Sequence, residues 1–176
     1  MTLSDTYLRL AHAPAAFRAL LSSSSAGALA FREAADCWTP HEVLSHVTDA
    51  EVADWRPRIA AIVSDEGDHR FTPFDRVAGH RLYGNWPIAA LLDEFDRLRR
   101  DNLTYLAQLN LGALPNALAR TGIHPEFGTV TLEQLLACWV VHDLAHISQI
   151  SRALVRFHGP DVGPWRKYFS LLKLEV

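Results

Sequence analysis

Cysteine is scarce in this sequence: Cys37 and Cys138 are the only two in 176 residues. That is too few for a disulfide framework. No stretch approaches the twenty or so uninterrupted apolar residues of a membrane span. The opening MTLSDTYLRLAHAP lacks the basic start and apolar run of a secretory signal. These absences set the expectation of a reduced, cytoplasmic chain with no membrane partner. Charge of one sign is missing too. The formal net charge is -3, and Lys and Arg are scattered among acids. Nucleic acid is therefore not an expected partner, because a phosphate backbone needs a basic stripe. A phosphate loop, a Gly-x-Ser-x-Gly elbow and a dinucleotide fingerprint are all absent.

Apolar residues, at 49%, are plentiful enough for one domain with a real core, so residues 1–176 are expected to form a single domain. Four stretches carry a 3.6-residue apolar period, separated by Gly, Pro, Ser and Asn. The first runs from Leu3 to Ser22, with Pro14 opening a new run or kinking the old one. The second has a sharp start: Thr39 as N-cap, Pro40 next and Glu42 three residues on, a capping box that predicts a helix to about Ser64. The third starts near Trp86-Pro87 and reaches about Asn110, and the fourth is capped by Thr131 with Gln134 and runs to about Phe157. The expected fold class is all-α, a four-helix bundle. The connection DEGDHRFTPFDRVAGHRLYGN is long enough to cross from one end of a bundle to the other. That allows helices two and three to run parallel, in up-down-down-up order. GIHPEFGTV is expected to form a short hairpin or a turn, and the apolar residues of the tail PDVGPWRKYFSLLKLEV to pack over one mouth of the bundle.

Within CWVVHDLAHISQISR, His142 and His146 stand four residues apart. At 100° per residue they share a helix face with Leu135, Trp139, Gln149 and Ala153, so they point toward the core, about 6 Å apart along the axis. On the second helix, His46 shares a face with Val43, Ala50, Ala53 and Pro57. Three inward imidazoles on two helices point to a metal, because burying them without an ion or charge partner leaves donors unsatisfied. Three neutral imidazoles leave an open fourth position, as in catalytic zinc sites, and also suit nickel, iron or manganese. Cys138 lies eight residues from His146, roughly 12 Å along the axis and too far to share an ion, and is expected in the core. Asp49, Glu51, Asp143 and Gln149 are nearby in sequence as partners for the second ring nitrogens. Glu51 and Asp54 could form an acid-base pair, although carboxylates on a helix surface are the commoner outcome. The remaining histidines, at 12, 41, 69, 80, 124 and 158, are expected to be solvated. HDLAH falls short of the zinc-protease motif, since Asp143 is a methylene shorter than the required Glu.

The two segments CWTPHEVLSHVTDAE and VTLEQLLACWVVHDLAHISQISR, with their three histidines in this order and spacing, resemble the DinB-like superfamily of metal-binding four-helix bundles, and GPWRKY near the end is similar to the family as well. The resemblance implies His46, His142 and His146 as a metal triad, an up-down-down-up bundle that is often a homodimer, and a divalent metal such as nickel or zinc. It also implies thiol-dependent transfer or isomerisation with low-molecular-weight thiols such as bacillithiol or mycothiol, or metal-dependent hydrolysis, on a small-molecule substrate. An apolar stripe of Leu136, Val140, Leu144, Ile147 and Leu154 on the back of helix four fits a dimer interface, unless the tail covers it. Two functions follow from these residues. One is an enzyme whose metal activates a thiol or water, with Arg56, Arg58, Arg81 or Arg166 as candidates for a basic mouth. The other is a metal-stabilised helical module without catalysis, which binds a partner or serves a stress response.

Overall fold

Each long helix starts where the sequence supplies a cap. In the computed structural model, which describes residues 2–173, Thr2 Oγ1 accepts from the Asp5 amide at 3.1 Å and opens α1 (Leu3–Leu21). Ser25 caps a short α2 (Ala26–Leu29). The Thr39–Glu42 box is closed by bonds of 3.1 and 2.8 Å and opens α3 (Pro40–Ala50). Thr131 and Gln134 do the same for α7 (Leu132–His158) at 3.2 and 2.9 Å. α6 (Ile88–Gln108) begins one residue after Pro87.

The expected second helix is not continuous. After α3 the backbone widens into a π-helical turn, Glu51–Trp55, and resumes as α4 (Arg56–Val63). Pro57 supplies a reason: it has no N–H for the Ala53 carbonyl and its ring would collide with that group in a regular α-helix, so the wider turn upstream relieves the clash. Pro14, by contrast, sits inside an unbroken α1. It leaves the carbonyl of Leu10, four residues back, without its helical donor.

The long connection carries its own short helix, α5 (Ala78–Tyr83), packed on α3. Thr121–His124 and Gly128–Thr131 form an antiparallel hairpin, β1 and β2. The connection is tied to it by Phe71 N to Ile123 O and Ile123 N to His69 O, both 2.9 Å. α1 and α3 each pack against both α6 and α7. Two apolar clusters fill the interior. Leu10, Trp55, Leu106 and Trp139 belong to one, and Phe17, Val47, Phe95 and Ile150 to the other. Beyond α7 the chain continues in 3₁₀ turns, and Trp165, Tyr168 and Phe169 are exposed rather than packed over the bundle mouth. The expectation for the tail also covers residues 174–176, which lie outside the described residues. Among the described residues no helix is long and apolar enough to cross a membrane.

Candidate metal centre

A buried polar layer lies between the two apolar clusters, and it is built around Arg99. This side chain is 1% exposed. Nε and Nη2 donate to the two carboxylate oxygens of Glu51 at 3.1 and 2.8 Å, and Nη1 and Nη2 to those of Asp143 at 2.7 and 3.0 Å. The fifth donor goes from Nη1 to the Leu10 carbonyl at 2.8 Å, the group that Pro14 left free. Glu51 further accepts from Trp139 Nε1 at 3.1 Å and Asn102 Nδ2 at 3.0 Å, and Asn102 also holds the Glu51 carbonyl at 2.8 Å. Burial opposes the Arg99 charge, but Glu51 and Asp143 outweigh it and raise its pKa. Burial pushes the Asp143 carboxyl up to about 6 against the pull of Arg99. The layer thus sets two carboxyl groups, Glu51 and Asp143, around one guanidinium.

The three histidines sit beside this layer: His142 precedes Asp143, and His46 lies on α3 ahead of Glu51. One nitrogen from each of His46, His142 and His146 lies within 4.8 Å of the others. Nε2 of His46 and Nε2 of His142 are 3.0 Å apart. The Arg76 carbonyl lies 3.0 Å from His46 Nδ1 and can only accept, so Nδ1 carries the proton and Nε2 the lone pair. Gln149 Oε1, 2.9 Å from His146 Nδ1, sets the same tautomer there. Burial, then repulsion from His146, lowers the His46 pKa to about 4. Burial and the two neighbouring imidazoles lower that of His142 to about 2, and burial lowers His146 despite Gln149. All three rings are neutral at pH 7, the form a metal takes up. The donor set therefore fits a divalent ion: two tautomers are fixed with their lone pairs turned to one point, and a third imidazole faces it.

Above the triad lies a pocket of about 360 Å³, walled by Trp55, Phe74 and Phe127 and by Asp54, Arg58 and Cys138. Trp55 stacks on Trp139, 5.5 Å between centroids, and sets its ring against His142. Trp38, just ahead of the Thr39 cap, covers His46 at 4.8 Å and His146 at 6.3 Å. Asp54 Oδ1 is 2.7 Å from Arg58 Nε, yet burial still pushes its carboxyl up to about 6. Burial, with the Asp54 charge adding to it, raises the Cys138 thiol, so Cys138 is not an activated thiolate.

The sequence matches a known family. Residues 9–150 fit the sequence profile of the DinB superfamily. The chain belongs to the DinB superfamily. No curated protein matches it. Among solved structures it is similar to YfiT from Bacillus subtilis, described as a probable metal-dependent hydrolase with an unusual four-helix bundle topology. The identity is 19%, the TM-score 0.75, and 90% of each chain is covered. At that identity the likeness shows the fold, a four-helix bundle of the DinB superfamily.

Several expectations need correction in this DinB-superfamily chain. Cys138 is not in the core; it is exposed in the pocket, one helical turn before His142 and on the same face. Glu51 and Asp54 are buried at 1% and 6% exposure rather than on the surface. Of the expected ring partners only Gln149 serves; both oxygens of Asp143 are taken by Arg99, which also removes it as a general base. His80 and His124 are not free in solvent. His80 packs edge-on against Trp38 at 4.7 Å, and His124 lines the pocket stacked on Phe127 at 4.5 Å. Of the basic candidates, Arg58 lines the pocket, Arg81 is taken by Asp75 at 2.5 Å and Arg56 lies over Tyr105. The stripe on α7 is split: Leu136 and Val140 are buried, and Leu144 remains 50% exposed. Because Gln149 both holds His146 and leaves the bundle core untouched, Gln149→Leu is expected to weaken metal binding about 10- to 100-fold with little change in Tm. Competition with a chelating dye checks this, and an unchanged affinity removes Gln149 from the site.

Proposed function

We propose that this chain is a metal-dependent enzyme whose His46, His142 and His146 hold one divalent ion, zinc or nickel with iron or manganese as alternatives. The observation that carries the reading is the convergence of the ring nitrogens within 4.8 Å, with two tautomers fixed, at the floor of an open pocket of about 360 Å³. A bound ion would supply a Lewis acid and an activated water or thiol in its open position, for hydrolysis or thiol-dependent transfer on a small molecule. Bacillithiol- or mycothiol-like thiols belong to the transfer branch. Asp54, its carboxyl raised to about 6 and turned into the same pocket, is placed to take a proton at Oδ2. Trp55 and Phe74 keep water off the reacting group.

The finer architecture belongs to the same reading: a single domain over 1–176, in up-down-down-up order. Arg18 pairs with Asp93 and Leu10 with Arg99, which supports α1 antiparallel to α6. Val47 shares a cluster with Phe95, and Glu51 binds Arg99 further along both helices, which supports α3 parallel to α6. We also read the chain as cytoplasmic and homodimeric, the exposed Leu8, Val141 and Leu144 on α1 and α7 supporting the second point.

The test is metal content by mass spectrometry on untagged protein beside His142→Ala. We expect about one equivalent of zinc, nickel, iron or manganese in the wild type and none in the variant. The Arg99 layer already ties α1, the π turn and α7 to α6 without an ion, so chelation is expected to move Tm little. Protein that stays metal-free after reconstitution overturns the catalytic reading; protein that unfolds on chelation has a structural ion instead.

A further inference from the structure

The charged groups around the pocket are nearly all spoken for. Arg58 is committed to Asp54 at 2.7 Å. Asp75, the acid next to Arg76 in the chain, is committed to Arg81 at 2.5 Å and to the Val77 amide at 3.0 Å. Arg76 and Glu126 are the exceptions: among the described residues Glu126 forms no ion pair, and no carboxylate stands within ion-pair distance of Arg76. Its position is fixed all the same. Its carbonyl holds His46, and its guanidinium carbon lies 5.7 Å over the Trp38 ring. A guanidinium held over an aromatic ring can still present its N–H groups to a bidentate anion. Arg76 lines both the pocket above the triad and an adjoining cleft that also contains Cys37, Trp38, His146 and Gln149, so it stands where the two meet. Asp36, the acid of that cleft, forms no ion pair with it. The hairpin side of the pocket carries Pro125, Glu126 and Phe127, and Phe127 is 69% exposed with His124 stacked on it.

From this arrangement we infer that the substrate carries a compact anionic group, a carboxylate or a phosphate-type group, received by Arg76 at the pocket mouth, and an apolar body laid along Phe74 and Phe127. This rests on the reading of the pocket as the substrate site. It names a residue outside the triad as the determinant of substrate class. Arg76 is a binding residue in this scheme and takes no part in holding the metal through its side chain.

The test measures binding of phenylacetate, phenylphosphonate and neutral phenylacetamide by calorimetry. It uses metal-free and zinc-loaded wild type, Arg76→Gln and Arg76→Lys. Arg76 is exposed, so neither substitution threatens the fold. At least one anion is expected to bind the metal-free wild type about tenfold more tightly than the amide, a difference of about 1.4 kcal/mol. Arg76→Gln is expected to abolish that preference and Arg76→Lys to keep part of it. The stronger of phenylacetate and phenylphosphonate tells carboxylate from phosphate-type recognition. Anions that bind no better than the amide overturn the inference. So does a preference that survives Arg76→Gln, or one that appears only in zinc-loaded protein, since the anion is then a metal ligand and the triad reading stands without this one. A preference that depends on Arg76 in protein that never takes up zinc leaves the anion subsite in place and removes the metal centre.

Discussion

Arg99→Met is expected to lower the unfolding free energy by about 3 to 5 kcal/mol, the cost of leaving buried charges without their partner. The volume is nearly kept, so the loss is electrostatic rather than a cavity. Glu51 and Asp143, at 1% and 3% exposure, would face each other across the layer with no cation between them, and the Leu10 carbonyl, already without its helical donor because of Pro14, would lose the bond from Arg99 as well. Pairing the change with Glu51→Gln and Asp143→Asn should recover much of the deficit, because the remaining groups are then neutral. The pH dependence has a definite sign. Asp143 already has a folded pKa of about 6 against an ordinary 3.8. A carboxyl raised on folding binds more protons in the native state, so stability rises as pH falls through that window. Without Arg99 the Asp143 carboxyl rises further, so the deficit of Arg99→Met should narrow as pH falls toward about 6, between the variant's pKa and that of the wild type. Urea unfolding at several pH values measures it. A variant as stable as the wild type at pH 7.5 would sink the idea that Arg99 holds the helices together.

This layer shows where the sequence was readable and where it was not. The capping boxes at Thr39 and Thr131 depend on residues three apart, and the imidazole face depends on one helical period; both are local and both were legible. Arg99 and Asn102 stand among many charges in LLDEFDRLRRDNL, yet Leu92, Phe95, Arg99, Asn102 and Leu106 keep the three-four spacing of a buried stripe. That spacing was the available signal, and polarity masked it. The π turn had a weaker one, Pro57. Arg76 and Cys138 reach the pocket for different reasons. Cys138 is one helical turn from His142, which the wheel already implied. Arg76 lies in an irregular connection, where no period assigns a direction, and only the packing of α5 on α3 brings it to His46.

That packing depends on one glycine, and Gly79→Ala is the substitution that tests it. A Cβ at Gly79 would stand 2.4 Å from the Ser45 carbonyl oxygen and 2.9 Å from Asp49 Cβ. The first obstacle is backbone of α3, which cannot rotate away, so α5 must lift. Overpacking of this kind costs about 1 to 3 kcal/mol. The functional effect is expected to be larger in proportion. Ser45 precedes His46, and Gly79 lies three residues after Arg76, whose carbonyl fixes the His46 tautomer at 3.0 Å. Lifting α5 draws that carbonyl off the ring and lets Nδ1 and Nε2 exchange roles, so metal affinity should fall about 10- to 100-fold. Two comparisons separate this from general damage. Arg76→Gln keeps the carbonyl in place and should keep the affinity. Gly112→Ala, where a Cβ meets nothing within 4 Å, should leave both stability and affinity near the wild type. Gly79→Ala protein with wild-type affinity but a lowered Tm would mean that His46 holds its orientation without α5, and that the connection matters for packing alone.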